Sequence, residues 1–206
     1  MPPQTPSRST RFTRNVAWSI VGNLGLTAFG LLLTPFIVGR LGSEGYALYC
    51  LIGMVGGYLT LLTFGAGSTT VKFVSELLAS GKKSQLSAVL GTSLWMHVGA
   101  VSFGALLVIG FREILTTGFF KIQPGLHEQT LWLLTCAAVG AIFLSLTQFG
   151  IAILQGLQRY DLANKFLLLQ SSLLLGGTAL LLLAGKDIRS IATFYVFVQA
   201  ALSGLC

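Results

Sequence analysis

The chain has 206 residues, of which 53% are hydrophobic and only 9% are charged, and its net charge is +7. A water-soluble domain carries roughly 25% charged residues, so this chain has too little charge to coat a solvent-facing surface, and a soluble catalytic domain is excluded. The basic excess is not that of a nucleic-acid binder, because the cations sit between apolar runs and form no patch interleaved with aromatics.

Residues 1–14 are polar and rich in Pro, Ser and Thr, and they carry Arg8, Arg11 and Arg14. They read as a basic cytoplasmic leader, disordered or interfacial. The apolar run that follows, Val16–Gly39, is too long for the core of a signal peptide and has no small-residue cleavage site behind it, so it is the first predicted span. The second is Tyr46–Phe64, continued in more amphipathic form through Gly65–Leu78. A third covers about Leu86–Phe111, a fourth Leu131–Gln155 and a fifth Phe166–Ala184. A sixth begins near Ile191 and is still apolar at Cys206. Each complete run reaches the roughly 20 residues that cross a bilayer core. Continuous runs, rather than alternation in ten-residue units, exclude a β-barrel. The expected fold is an all-α membrane protein of about six transmembrane helices, organised as the leader 1–14 and one lobe 15–206. An apolar end at Cys206 suggests the first part of a longer transporter.

Short loops separate the runs: Arg40–Gly45, Ser80–Gln85, Lys121–Glu128, Gln158–Lys165 and Lys186–Arg189. The side that receives the leader also receives Lys72, Lys82, Lys83, Arg159 and Lys165. The other receives Arg40, Arg112, Lys121, Lys186 and Arg189. The side richer in cations faces the cytoplasm, which places the N-terminus inside, in a multi-pass protein of the cell (inner) membrane.

Helical spacing gathers polar residues into seams. Ser19, Asn23, Thr27, Gly30 and Thr34 share an arc of the first span, and Pro35 after them predicts a kink. Ser145, Gln148 and Gln155 share a face of the fourth, and Asn164, Ser171 and Thr178 recur every seven residues in the fifth. Such seams serve either as hydrogen-bonding glue between helices or as the lining of a cavity. Asn23, Gln148 and Gln155 are the candidate cavity residues, the glutamines because an amide must satisfy donors and acceptors alike. His97 lies mid-span, where an ionisable group is a candidate for proton or ion coupling or a packed histidine. Lys72 and Glu76 stand one turn apart, either as a pair at a helix end or with Lys72 facing a cavity. Gly53 and Gly57 form a GxxxG, consistent with close helix packing. The cysteines, Cys50, Cys136 and Cys206, lie in apolar runs without CxxC spacing and read as small fillers.

No span contains a carboxylate, and neither HExxH nor GxSxG occurs. Gly81-Lys82 is followed by Lys83 rather than the Ser or Thr of a phosphate-binding loop. The expectation is no enzyme, no cofactor and no metal, with the two histidines far apart in sequence.

Several junctions carry a resemblance. The first span opens with Asn15-Val-Ala-Trp18 and ends in Pro35, before Gly39-Arg40-Leu41-Gly42-Ser43-Glu44-Gly45-Tyr46. The second reaches Leu62-Thr63-Phe64-Gly65-Ala66-Gly67 and then Val71-Lys72-Phe73-Val74-Ser75-Glu76. The fourth leads into Ile153-Leu154-Gln155-Gly156-Leu157-Gln158-Arg159-Tyr160, with Asn164 soon after. From Asn15 on, the chain resembles the polysaccharide biosynthesis, or O-antigen flippase, family of the multidrug/oligosaccharidyl-lipid/polysaccharide exporter superfamily. It departs from that family's pattern at Ala47, often a second glycine there, and at Thr63, often an aspartate. The resemblance implies twelve to fourteen helices in two lobes, this chain supplying the first. A cavity between the lobes would carry lipid-linked oligosaccharide of the polyprenyl diphosphate type to the outer leaflet by alternating access, for polysaccharide or lipopolysaccharide biosynthesis. Other polysaccharide-assembly membrane proteins would be partners. Lys72, Arg159 and Lys165 would then meet the diphosphate, unless they are simply the cytoplasmic cations that orient the chain. The alternatives are a drug/cation antiporter of the same superfamily and a non-transporting scaffold subunit of polysaccharide synthesis.

Overall fold

In the computed structural model the described residues are 8–63 and 65–205, with side chains described from Leu24 on except at positions 26, 64 and 83. Every regular element among them is helical. The main helices are α1 (Arg8–Leu61), α2 (Ala66–Ala79), α3 (Leu86–Gly110), α4 (His127–Gly156), α5 (Tyr160–Leu183) and α6 (Ile188–Ser203). Short helical turns at Lys83–Gln85, Arg112–Phe119 and Pro124–Leu126 join them.

The helices follow the apolar runs. The first two runs form two helices that meet at a kink at Gly42, within the expected connection Arg40–Gly45, which narrows to that one residue. They lie in one 54-residue element whose single non-helical residue is Gly42, at φ 72° and ψ 175°. Arg40, Leu41 and Glu44 are good helix formers, and only Gly42 takes a conformation that a β-carbon would oppose. Helix is already present at Arg8, the first described residue, and includes the second half of the expected leader.

Three segments, Leu86–Gly110, Pro124–Gly156 and Tyr160–Leu183, are long and apolar enough to cross a membrane. A fourth span results if Thr27–Leu61 and Ala66–Ala79, bent by 51° at their junction, count as one. With 16 residues, α6 is shorter than the roughly 20 that a span requires.

The core is organised around α4, which packs against α1, α2, α3 and α6. Its Leu133, Leu134, Ala137, Ala138 and Ala141 are buried against Leu48 and Ile52 of α1, Val101 of α3 and Ile191 of α6. Small residues make this possible, since apolar burial drives no helix association in lipid and close backbone approach must supply the packing. Gly140 lies under the Tyr195 ring, and Gly104 receives Leu59 and Leu62. At Gly156 an added β-carbon would come within 2.7 Å of the Val74 β-carbon. The GxxxG does not serve this purpose: Gly53 and Gly57 are exposed and have nothing within reach of a β-carbon. Gly56, between them, meets the Tyr195 hydroxyl. Cys136 is buried and Cys50 half-buried, as fillers would be, and both are free thiols.

The run of the helices gathers the connections at two ends. One end holds the Gly42 break, the segment 111–126 and the turn 184–187. The other holds the turns at 80–85 and 157–159 together with the end of α6.

Candidate functional site

Between α1 and α2 the chain departs from helix midway along the α3–α4 pair. Gly65 is left-handed (φ 77°, ψ 16°), and three hydroxyls donate to carbonyls around the break, two of which, Thr60 O and Gly65 O, also accept the Thr63 and Thr69 amides. Thr60 donates to Gly57 O at 2.7 Å, Thr63 to Thr60 O at 2.9 Å and Ser68 to Gly65 O at 2.8 Å. In an apolar surrounding an unsatisfied carbonyl is costly, so a break in a span needs hydroxyls of this kind around it.

A cavity of about 520 Å³ opens at this break, well within the range of about 300–1,000 Å³ typical of small-molecule sites. Thr60, Thr63, Gly65, Gly67 and Ser68 line it from the break, His97 from α3, and Ser145, Gln148 and Gln155 from α4. Ser145 to Gln155 is ten residues, or about 15 Å along a helix axis. The cavity therefore runs from mid-height on α4 to its last turn, at the end where α4 passes into α5.

A hydrogen-bond chain fixes the imidazole at the inner part of this cavity. His97 is 2% exposed, and its Nδ1 lies 2.9 Å from the Ser93 carbonyl. A carbonyl only accepts, so Nδ1 carries the proton, and Nε2 of the neutral ring is an acceptor. Phe149 meets the ring edge-on with centroids 5.7 Å apart. Ser93 is held in turn. The Thr70 hydroxyl donates to Ala66 O at 2.7 Å, which uses its one proton, so the Ser93 hydroxyl donates to Thr70 in their close contact. These bonds tie α3 to α2 directly beside the break.

Three of the residues singled out by sequence therefore come together: His97, Gln148 and Gln155. The side-chain amides of Gln148 and Gln155 make no hydrogen bond among the described residues, whereas the Ser145 hydroxyl is occupied by Ile142 O at 2.7 Å. The three cations stand elsewhere. Lys72 is exposed one residue past the cavity wall, its Nζ 6.0 Å from the centroid of the Phe73 ring, and it forms no ion pair with Glu76 among the described residues. Arg159, at the N-cap of α5, and Lys165, on its first turns, are exposed. The Asn23 side chain lies outside the described residues.

Sequence reasoning missed Thr60, Ser68, Thr70 and Ser93, and marked Thr63 only as a departure from the family pattern. The signal was present in the run Thr63–Thr70, where hydroxyls and glycines crowd together inside an apolar stretch. It also missed Gln170 and Gln199, both buried, whose amides bond at 2.8 Å and join α5 to α6. That pair is glue.

The lining offers hydroxyls, amides and one imidazole, and no carboxylate among the described residues. It can bind groups that exchange hydrogen bonds. No group of three or more His, Cys, Asp or Glu residues that could hold a metal occurs among the described residues. Searches against family models, curated proteins and solved structures found no match to this chain.

Proposed function

We propose that this chain is a six-span transmembrane lobe of a transporter that moves lipid-linked oligosaccharide across the inner membrane by alternating access. One observation carries the reading: the polar cavity lies at a break in an otherwise apolar helix, between helices long enough to span. Transporters place their sites at such discontinuous helices near the midplane, where freed backbone and small polar side chains face the substrate. A lining of hydroxyls and amides suits a sugar. The sequence resemblance supports the same substrate class and supplies the expectation of a second lobe. The absence of a carboxylate from the described lining favours this reading over a drug/cation antiporter, whose positively charged cargo would call for one.

The test is complementation. Cells whose own oligosaccharide flippase has been deleted, and which express this protein, should recover surface polysaccharide. Gln148→Trp, which fills the cavity from an exposed position that tolerates bulk, should abolish recovery while leaving the protein in the membrane. Recovery undiminished by Gln148→Trp would favour the scaffold role instead.

A further inference from the structure

We infer that the groove between α2 and α3 is a docking site for one anionic phospholipid, with an acyl chain in the groove and the phosphate at the cations where the two helices join. The inference stands apart from the transporter reading, because the groove and the polar cavity lie on different faces of α2. Gly67, Ser68 and Val71 line the cavity. Ala66, Thr70 and Phe73, about 150° around the helix by its spacing, line the groove.

The walls suit hydrocarbon. The groove encloses about 310 Å³, with Ala66 and Phe73 on the α2 side and Ala88, Val89 and Met96 on the α3 side. The two alanines fill little of the gap between the helices. The wall hydroxyls of Thr70, Thr92 and Ser93 have already given their protons. Thr70 donates to Ala66 O at 2.7 Å, Thr92 to Ala88 O at 3.0 Å and Ser93 to the Thr70 oxygen. A polar ligand would give up water here without gaining those donors, a cost that an alkyl chain does not bear.

The length fits a single leaflet. Helix α3 begins at Leu86, and the groove follows it from Ala88 to Met96, about 12 Å at the helical rise. One leaflet contributes about 15 Å, half of the roughly 30 Å hydrocarbon core. The groove therefore starts at the end of the bundle that holds the turn 80–85 and stops near mid-membrane.

Cations stand at its mouth. Lys72 neighbours Phe73, with Nζ 6.0 Å from the ring centroid, and Lys82 is exposed in the turn that joins the two walls. Neither forms an ion pair among the described residues. From Ala66 to Gly110 the chain carries Lys72, Lys82 and Lys83 against one acid, Glu76. A lysine near the bilayer surface favours an anionic headgroup by about fivefold. The aromatic pocket of Trp132, Phe194 and Phe197 is a weaker candidate for such a lipid, because its Arg189 is already held by Glu128 at 3.2 Å.

The test uses the full chain purified in detergent and stripped of lipid. The probes are dioleoyl phosphatidylglycerol and dioleoyl phosphatidylcholine, and native mass spectrometry reads the affinity for the first lipid bound. Wild type should prefer phosphatidylglycerol by about tenfold or more, and Lys72→Gln should lower that preference about fivefold. Lys186→Gln removes an exposed lysine at the other end of the bundle and should leave the preference unchanged. Thr92→Trp, which fills the groove from an exposed position, should weaken binding of both lipids while the protein stays monodisperse. Ala88→Phe fills the same groove from the start of α3 and serves where Thr92→Trp does not fold. Equal affinity for the two lipids would overturn the inference. So would equal losses from Lys72→Gln and Lys186→Gln, which would reduce the preference to net charge. Undiminished binding by a monodisperse groove-filled variant would overturn it as well, since the lipid would then sit elsewhere.

Discussion

The two ends of the helix bundle treat charge in opposite ways. At the end that holds the Gly42 break, several charged and polar side chains are linked. Gln123 donates to Glu44 at 3.1 Å, His127 meets Glu113 at 2.9 Å, Arg189 meets Glu128 at 3.2 Å, and Arg112 donates to Thr135 at 3.0 Å. These bonds join α1, both ends of the 111–126 segment, the first turns of α4 and the start of α6. At the opposite end Lys72, Lys82, Lys83, Arg159 and Lys165 outnumber Glu76 and Asp161, and no ion pair forms there among the described residues. The cavity runs toward this second end. The contrast separates a stitched end, where polar groups hold helices together, from an open end, where they remain available.

The strongest way to break this comparison is to disturb the core on which both ends depend. Gly140→Leu drives a side chain into the Tyr195 ring between α4 and α6. Over-packing of this kind costs about 1–3 kcal/mol or more, and most of the protein should be lost from the monodisperse fraction in size-exclusion chromatography. A smaller effect sharpens the description of the open half. Ser93→Ala removes the hydroxyl bridge between α3 and α2 but leaves the carbonyl that orients His97. It should cost about 1 kcal/mol, a fall of roughly 2–4 °C in Tm for a chain of this size. Smaller again is Arg189→Gln at the stitched end. Its pair with Glu128 is exposed on both sides, so the change should be below about 1 kcal/mol and should shrink further in high salt. Lys72→Met should leave Tm unaltered, because Lys72 has no ion pair to lose. A fall comparable with that of Arg189→Gln would show the open end to be stitched as well.

Much of this fold was legible in hydropathy. The run expected at Leu86–Phe111 is the helix Leu86–Gly110, and that expected at Leu131–Gln155 lies within His127–Gly156. Misjudged boundaries fell where polar residues enter helices. The stretch from Tyr160 to Lys165 reads as a loop by polarity yet forms the start of α5, with Asp161 in the first turn, where its charge suits the helix dipole. The connection expected at Arg40–Gly45 is a break of one residue for a related reason, since only Gly42 needs to leave the helix.

The site was legible in part. Periodicity put Gln148 and Gln155 on one face of α4, and polarity alone marked His97. What periodicity cannot supply is the rotation of one helix against another. The meeting of Thr70 with Ser93, and the turning of Lys72 away from the cavity wall, depend on how α2 sits on α3. The same helix is also held against α4, where Val74 packs closely on Gly156. The left-handed backbone at Gly65, which makes the cavity, is one glycine among 25, and composition does not single it out.

The central claim, a polar cavity reached from the open end, is tested most directly by cysteine accessibility. In a background with Cys50, Cys136 and Cys206 replaced by Ala, single cysteines at Ser68, Gln148 and the exposed Trp95 are challenged with a membrane-impermeant thiol reagent in inside-out and right-side-out vesicles. The account predicts fast labelling of Ser68→Cys and Gln148→Cys from the cytoplasmic face only, with Trp95→Cys, on an exposed apolar face of α3, slow from both. Labelling of all three at the same slow rate, or labelling of the cavity positions from the opposite face alone, would contradict it.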